Sequence, residues 1–274
     1  MELTLYHGDC LEIMKELPAQ SVDLILCDLP YGCLSSKGNQ NIHDKNVKSG
    51  KRVAGGIHDA CSWDVKIDLE EFWKEVKRIR KNEHTPCIHF CTTKFGSELI
   101  QSNPTEFRYD LVWNKRRGVS FLTTGKMPMR SHEMIYVFSK AGAFYNRMDE
   151  IAPGKITKRF EQDGTRLSNS VSHAFRPSSG ILSPTIEDGK RCVLSVIELD
   201  GKKQGGRGKH PTQKPEELYK WLIERYCPVG GTVLDPTFGS GNSIFTAYTM
   251  GRNAIGVEKN DTFFEKAVER LNAL

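Results

Sequence analysis

The chain has 274 residues, 38% hydrophobic and 27% charged, the make-up of an ordinary globular protein with room for one large α/β domain carrying insertions or for two small domains. No apolar run is long enough for a bilayer span, and residues 1–9 lack the basic start and apolar stretch of a secretory leader, so no membrane partner and a cytoplasmic location are expected. The net charge of +5 is uneven: residues 140–209 hold thirteen Lys or Arg against eight Asp or Glu, and residues 37–52 hold Lys37, Lys45, Lys48, Lys51 and Arg52 against Asp44. Both stretches are rich in Gly, Ser and Asn, and basic loops of this kind suit a polyanion such as DNA.

In chain order, residues 3–7 read as a strand, and Asp9 can cap a helix that ends near Leu17, before Pro18. Residues 22–27 (VDLILC) form a continuous apolar run of strand length, as in a parallel sheet buried on both faces. Residues 33–66 show no sustained period and read as a long loop, of a length that is usually functional or mobile. Asp68, with Glu71 three residues on, has the pattern of a capping box, and Leu69, Phe72, Trp73, Val76 and Ile79 recur at helical spacing. A strand at 86–91, a helix at 95–102 and strands at 109–113 and 134–138 follow. Residues 141–209 read as irregular. Regular structure resumes with a helix from Pro215 to about Tyr226, a strand at 232–234, a helix to about Met250, a strand at 253–257, and a last helix capped by Asp261. Alternating strands and helices predict a mainly parallel sheet covered on both faces.

The eight cysteines (Cys10, Cys27, Cys33, Cys61, Cys87, Cys91, Cys192 and Cys227) form no C-x-x-C pair, which argues for reduced structural thiols and against a metal site. Pro86-Cys87 superficially fits the nucleophile of cytosine-carbon methylation, but it opens an apolar strand and the chain has no matching Glu-Asn-Val, so Cys87 is read as core.

Two segments carry chemistry. Asp235-Pro236-Thr237-Phe238-Gly239-Ser240-Gly241-Asn242 joins a strand to a helix, and its glycines permit a tight turn and close approach of a ligand. Glu258 ends the next strand, 17 residues after Gly241, where a carboxylate can accept from ribose hydroxyls. The third glycine of the dinucleotide fingerprint is missing, which argues against a nicotinamide enzyme. The second segment, Asp28-Leu29-Pro30-Tyr31, follows a buried strand and so falls at the carboxyl edge of the sheet. The Asp28 carboxylate and Leu29 carbonyl offer two acceptors to the hydrogens of an amino group, which would aim its lone pair at an incoming methyl. Asp28 can also stabilise positive charge developing on nitrogen, and Tyr31 offers a flat face for an extruded base.

Together these segments resemble the beta class of DNA amino-methyltransferases. Asp28–Tyr31 resembles the D/N/S-P-P-Y motif, Phe238-Gly239-Ser240-Gly241 the F-x-G-x-G motif, and His210-Pro211-Thr212-Gln213-Lys214-Pro215 reproduces H-P-T-Q-K-P intact. Gly8-Asp9-Cys10 resembles the segment whose acid reads the cofactor's adenine, and Gly256-Val257-Glu258 the ribose-binding acid. Leu111 to Lys115 and His132-Glu133 to Lys140 resemble later strands of the catalytic half.

The resemblance implies a class I, Rossmann-like methyltransferase fold: doubly wound, with a mainly parallel seven-stranded sheet and permuted motif order. Residues 1–140 would form the catalytic half with a DNA-facing loop at 33–66. Residues 141–208 would form an inserted target recognition region, and 209–274 the cofactor-binding half. The implied cofactor is S-adenosylmethionine, held by Asp9, Cys10, His210, Thr212, Lys214, Asp235, Thr237, Phe238, Gly239, Ser240, Gly241, Glu258 and Lys259. The implied catalytic residues are Asp28, Leu29, Pro30 and Tyr31. The implied partner is double-stranded DNA. The family also admits homodimers and a cognate restriction endonuclease, and the sequence selects neither.

Two departures stand out. Leu29 replaces the usual proline, which keeps the carbonyl and loses a stiffening ring, and Asn242 stands where many members have Thr. Asp28 favours the N6 amino group of adenine over the N4 amino group of cytosine, on correlation within the family. A catalytically inactive DNA-binding protein on the same scaffold is the remaining alternative.

Overall fold

A computed structural model describes residues 1–31, 65–119, 124–148, 150–151, 190–199 and 213–274. The chain divides into two compact units, one of residues 1–146 with 195–274 and one of residues 147–194. In the second unit, β6 (Glu150–Ile151) pairs antiparallel with β7 (Lys190–Arg191).

The first unit is built on one sheet. Its strands are β1 (Leu3–His7), β2 (Leu24–Cys27), β3 (Cys87–Cys91), β4 (Phe107–Val119), β5 (Arg130–Phe138), β8 (Val196–Glu198), β9 (Thr232–Asp235) and β10 (Asn253–Glu258), in the order β1-β10-β9-β2-β3-β5-β4-β8. Pairing is parallel except on either side of β5, which runs against β3 and β4. This is the expected α/β architecture with one difference. Among the described residues the sheet has eight strands, because β8, in a stretch that reads as irregular, adds to β4 through Val112↔Val196. Only its middle residue, Ile197, faces the core, and three residues are too few to show a period.

Alternate residues of the central strands feed two cores. Leu24, Leu26, Phe90 and Val233 pack with α4 (Glu216–Tyr226) and α5 (Asn242–Thr249), whereas Ile25, Cys27, Cys87 and Leu234 pack with α1 (Cys10–Glu16), α2 (Leu69–Ile79) and α3 (Thr93–Ser102). Cutting a fully buried side chain such as Phe72 back to Ala would cost about 3–5 kcal/mol.

Helix starts follow short-range chemistry. The Asp9 carboxylate accepts from the Leu11 N–H at 3.0 Å, and that of Asp68 from the N–H groups of Glu70 and Glu71. The capping box at Asp68 is met from one side, since the Glu71 carboxylate engages Lys74. For α6 (Asp261–Asn272) the cap is Asn260, whose side chain accepts from Phe263 N–H at 3.2 Å, so the cap lies one residue before the expected Asp261. Strands β4 and β5 outrun their expected apolar cores because ladder pairing continues through polar residues: Trp113 pairs with Glu133 and Asn114 with His132.

Candidate active site

The four neighbouring parallel strands β1, β10, β9 and β2 end at one edge of the sheet. That edge collects Gly8-Asp9 after β1, Glu258 at the end of β10, Asp235 at the end of β9 and Asp28 after β2. Carboxyl ends of parallel strands are where ligands bind in such sheets. A cavity of about 640 Å³ opens there, within the range of about 300–1,000 Å³ usual for small-molecule sites. Asp9, Cys10, Asp28, Leu29, Pro30, Tyr31, Lys214, Thr237, Phe238, Gly239, Ser240, Glu258 and Lys259, all singled out by sequence, line it. His210 and Thr212 lie outside the described residues, as does most of the loop expected at 33–66.

Two expected ligand residues shape the site from behind the cavity wall. Asp235 is buried, and its carboxylate is taken by the loop itself, accepting from Thr237 N–H at 3.0 Å and from the Ser243 hydroxyl. Burial raises its pKa to about 7, against those hydrogen bonds, which lower it. Gly241 caps α5 at φ +77°, where a side chain is strained, and a Cβ there would meet the Phe245 ring at 2.8 Å.

The acidic groups on the glycine side are held by backbone. Glu258 accepts from Gly239 N–H and Asn260 N–H, both at 2.8 Å, and burial raises its pKa against those bonds. The backbone fills only part of the acceptor capacity of this carboxylate, leaving room for a further donor. Asp9 pairs with Lys259 at 3.0 Å. Burial pushes its pKa up, but Lys259 and the helix N–H groups outweigh burial and lower it. A glycine turn, two carboxylates with spare acceptor capacity and the flanking Phe238 and Phe263 rings suit a nucleoside with an amino-acid tail.

The catalytic side is a chain of charges. Asp28 accepts from the Tyr31 hydroxyl at 2.8 Å with one oxygen and pairs with Lys214 through the other. Burial and the Asp28 charge hold the Tyr31 hydroxyl well above its usual range, so it stays a donor. Its ring packs on Phe95, with centroids 5.1 Å apart. Lys214 is 4% exposed and lies 3.8 Å from Glu133, which pairs with Lys115 at 2.6 Å. Burial opposes charge on Lys214 and Glu133, yet their neighbours win, raising the lysine's pKa and lowering the glutamate's.

Sequence reasoning did not place Glu133 or Lys115 in the site. Their signal is a cross-strand relation, Trp113 opposite Glu133, which no local motif carries. It also gave no reason for Asn242, whose side-chain amide donates to the Lys214 carbonyl at 3.0 Å and so seats that lysine. Leu29 is 2% exposed and packed in the core shared with α1 to α3, so apolar packing holds the turn where a proline ring usually does. The Thr237 hydroxyl donates to the Asp28 carbonyl at 3.2 Å, tying the glycine loop to the catalytic turn.

A cluster not anticipated from sequence lies in the core: Cys27, Cys87 and His89 place ligand atoms within 4.8 Å of one another. The Phe72, Trp73 and Phe138 rings pack around His89. Cys87 is 3% exposed and does not line the cavity, as a core thiol should not.

The N6_N4_Mtase family model, described as DNA methylase, matches residues 22–269, a span that takes in the Asp28 turn, the glycine loop and Glu258. The type II methyltransferase M.HinfI of Haemophilus influenzae is 27% identical over 285 residues, covering 99% of this chain and 68% of the relative. M.ScaI of Streptomyces caespitosus is 24% identical, covering 99% and 82%. Among solved structures, the PvuII DNA methyltransferase (cytosine-N4-specific) superposes with a TM-score of 0.62 at 15% identity, over 98% of this chain and 86% of that one. The M1.HpyAVI–SAM complex gives 0.56 at 20% identity, over 98% and 99%. These structural likenesses establish the fold, and the family match over most of the chain establishes descent: the chain belongs to the N6/N4 DNA methylase family.

Proposed function

We propose that this chain methylates the N6 amino group of adenine in double-stranded DNA, using S-adenosylmethionine. The observation that carries the reading is a single cavity lined by both the Asp28 turn and the glycine loop, joined by the Thr237–Asp28 hydrogen bond. When bound, the sulfonium supplies an electrophilic methyl group. Glu258 and Asp9 would hold its nucleoside, with Phe238 and Phe263 flanking it. The loop at Thr237 to Ser240 would frame its amino-acid end.

On the other side of the cavity, Asp28 and the Leu29 carbonyl would accept the two amino hydrogens of an extruded base, with Tyr31 stacked against it. As the N–C bond forms and the methyl–sulfur bond breaks, positive charge builds on the amino nitrogen, and the Asp28 carboxylate stabilises it until one N–H proton is lost to solvent. The work of the protein is positioning and electrostatics, without a covalent enzyme intermediate. The basic segment within 141–208 would supply contacts to DNA, in keeping with its charge. The type II names of the relatives support a restriction-modification setting.

Asp28 at the head of the motif favours adenine. Mass spectrometry of nucleosides from DNA methylated by the purified chain should yield N6-methyladenine. N4-methylcytosine in its place would move the reading to the cytosine amino group, and DNA left unmethylated would remove it.

A further inference from the structure

Asp28 accepts from Tyr31 with one oxygen and pairs with Lys214 through the other, so its charge is neutralised by the lysine before any amino group arrives. The lysine has a second carboxylate beside it. Glu133 Oε2 lies 3.8 Å from Lys214 Nζ, too far for a hydrogen bond. This oxygen is buried and has no hydrogen-bond partner among the described residues. An unmet buried acceptor is costly, the more so when charged, and such groups in native proteins call for a reason. The rest of Glu133 is fixed: Oε1 is bound by Lys115 at 2.6 Å, and that ammonium lies 4.9 Å from the centre of the Trp113 ring. The ammonium of Lys214 lies 4.9 Å from the centre of the Phe90 ring, and its backbone is held by Asn242.

We infer that Lys214 is a latch with two seats, Asp28 when no base is present and Glu133 Oε2 when a base amino group takes Asp28. The inference rests on the role proposed for Asp28. The move requires a side-chain shift of about 1 Å to reach charge-assisted hydrogen-bonding distance. Asp28, Lys214, Glu133 and Lys115 remain neutral as a group in both states. What changes is which carboxylate is neutralised. With the lysine on Glu133, the negative charge of Asp28 is left uncompensated and acts directly on the positive charge that develops on the substrate nitrogen. Burial opposes charge on Lys214, but Asp28 and Glu133 outweigh it and keep the proton on the lysine beside Asp28. Glu133 is therefore a positioning residue that acts through Lys214.

The test is single-turnover methylation at saturating cofactor and DNA, with thermal melts to show that each variant is folded. Glu133→Gln should slow methyl transfer by roughly tenfold or more while cofactor affinity stays within about twofold. Glu133→Asp keeps the charge but shortens the reach by a methylene, and should be slowed as well. Adding Lys214→Met to Glu133→Gln should recover a substantial part of the lost rate, because no ammonium then competes for Asp28. A purely structural role for Glu133 gives no such recovery. A Glu133→Gln enzyme as fast as wild type, or a defect that Lys214→Met leaves unchanged or deepens, overturns the latch while the methyltransferase reading stands. A wild-type chain that methylates no DNA removes both.

Discussion

On the glycine side of the cavity the backbone does most of the positioning. Gly239 and Glu258 are joined by a main-chain N–H, Gly241 turns the chain into α5, and Asp235 is consumed in bracing the bend. On the catalytic side, charged side chains from the β2 turn, β4, β5 and the segment before α4 hold one another in a line from Asp28 to Lys115. The first arrangement is encoded within about two dozen consecutive residues. The second exists only once four distant segments have met. A backbone-built site should respond to substitution through stability and ligand affinity, and a charge-built site through turnover.

The sharpest way to break this contrast is Asp28→Ala. Turnover should fall roughly 10³-fold, with S-adenosylmethionine binding by calorimetry nearly unchanged. If affinity collapsed in step with turnover, the two sides would not be separable. Asp235→Asn should sharpen it from the other side. Because the folded-state pKa of Asp235 is raised to about 7 from 3.8, the fold favours its protonated form. That preference stabilises the protein fully below pH 4 and is lost as pH rises through 7. Urea unfolding should therefore show the wild type losing roughly 2–3 kcal/mol relative to the Asn variant between pH 5 and pH 8. A pH-independent difference would mean that Asp235 is not held protonated by burial.

Smaller effects follow. Gly241→Ala meets both the left-handed φ and the Phe245 ring, so about 1–3 kcal/mol of stability should be lost, along with cofactor affinity. A variant with wild-type melting temperature would show that the bend relaxes freely. Tyr31→Phe keeps the ring and removes one hydrogen bond to Asp28, worth about 1 kcal/mol. Rate measurements should show a loss of less than about tenfold, with cofactor binding unaffected, and a loss as deep as that of Asp28→Ala would make the hydroxyl itself essential.

The same contrast explains what could be read from the sequence. Short-range signals located the Asp9 and Asp68 caps, the apolar strands and the glycine bend, because each depends on neighbours a few residues away. They missed the cap of α6 by one residue, since Asn260 and Asp261 are both good caps and only geometry chooses. They missed β8, which has one buried residue. Glu133 resembled an ordinary polar strand residue because its meaning comes from Lys214, 81 positions away in the chain. Asn242 read as a departure from the family and proves to be the seat of that lysine. Leu29 read as a lost ring and proves to be an apolar anchor.

The hydroxyl of Thr237 that reaches the Asp28 carbonyl gives the two halves of the chemistry a common hinge-pin. Any coupling between the proposed methyl-donor and DNA sites that runs through this bond is reciprocal, each ligand changing the other's affinity by the same factor. Severing that bond with Thr237→Val should weaken that coupling, read as a smaller effect of each ligand on the affinity for the other.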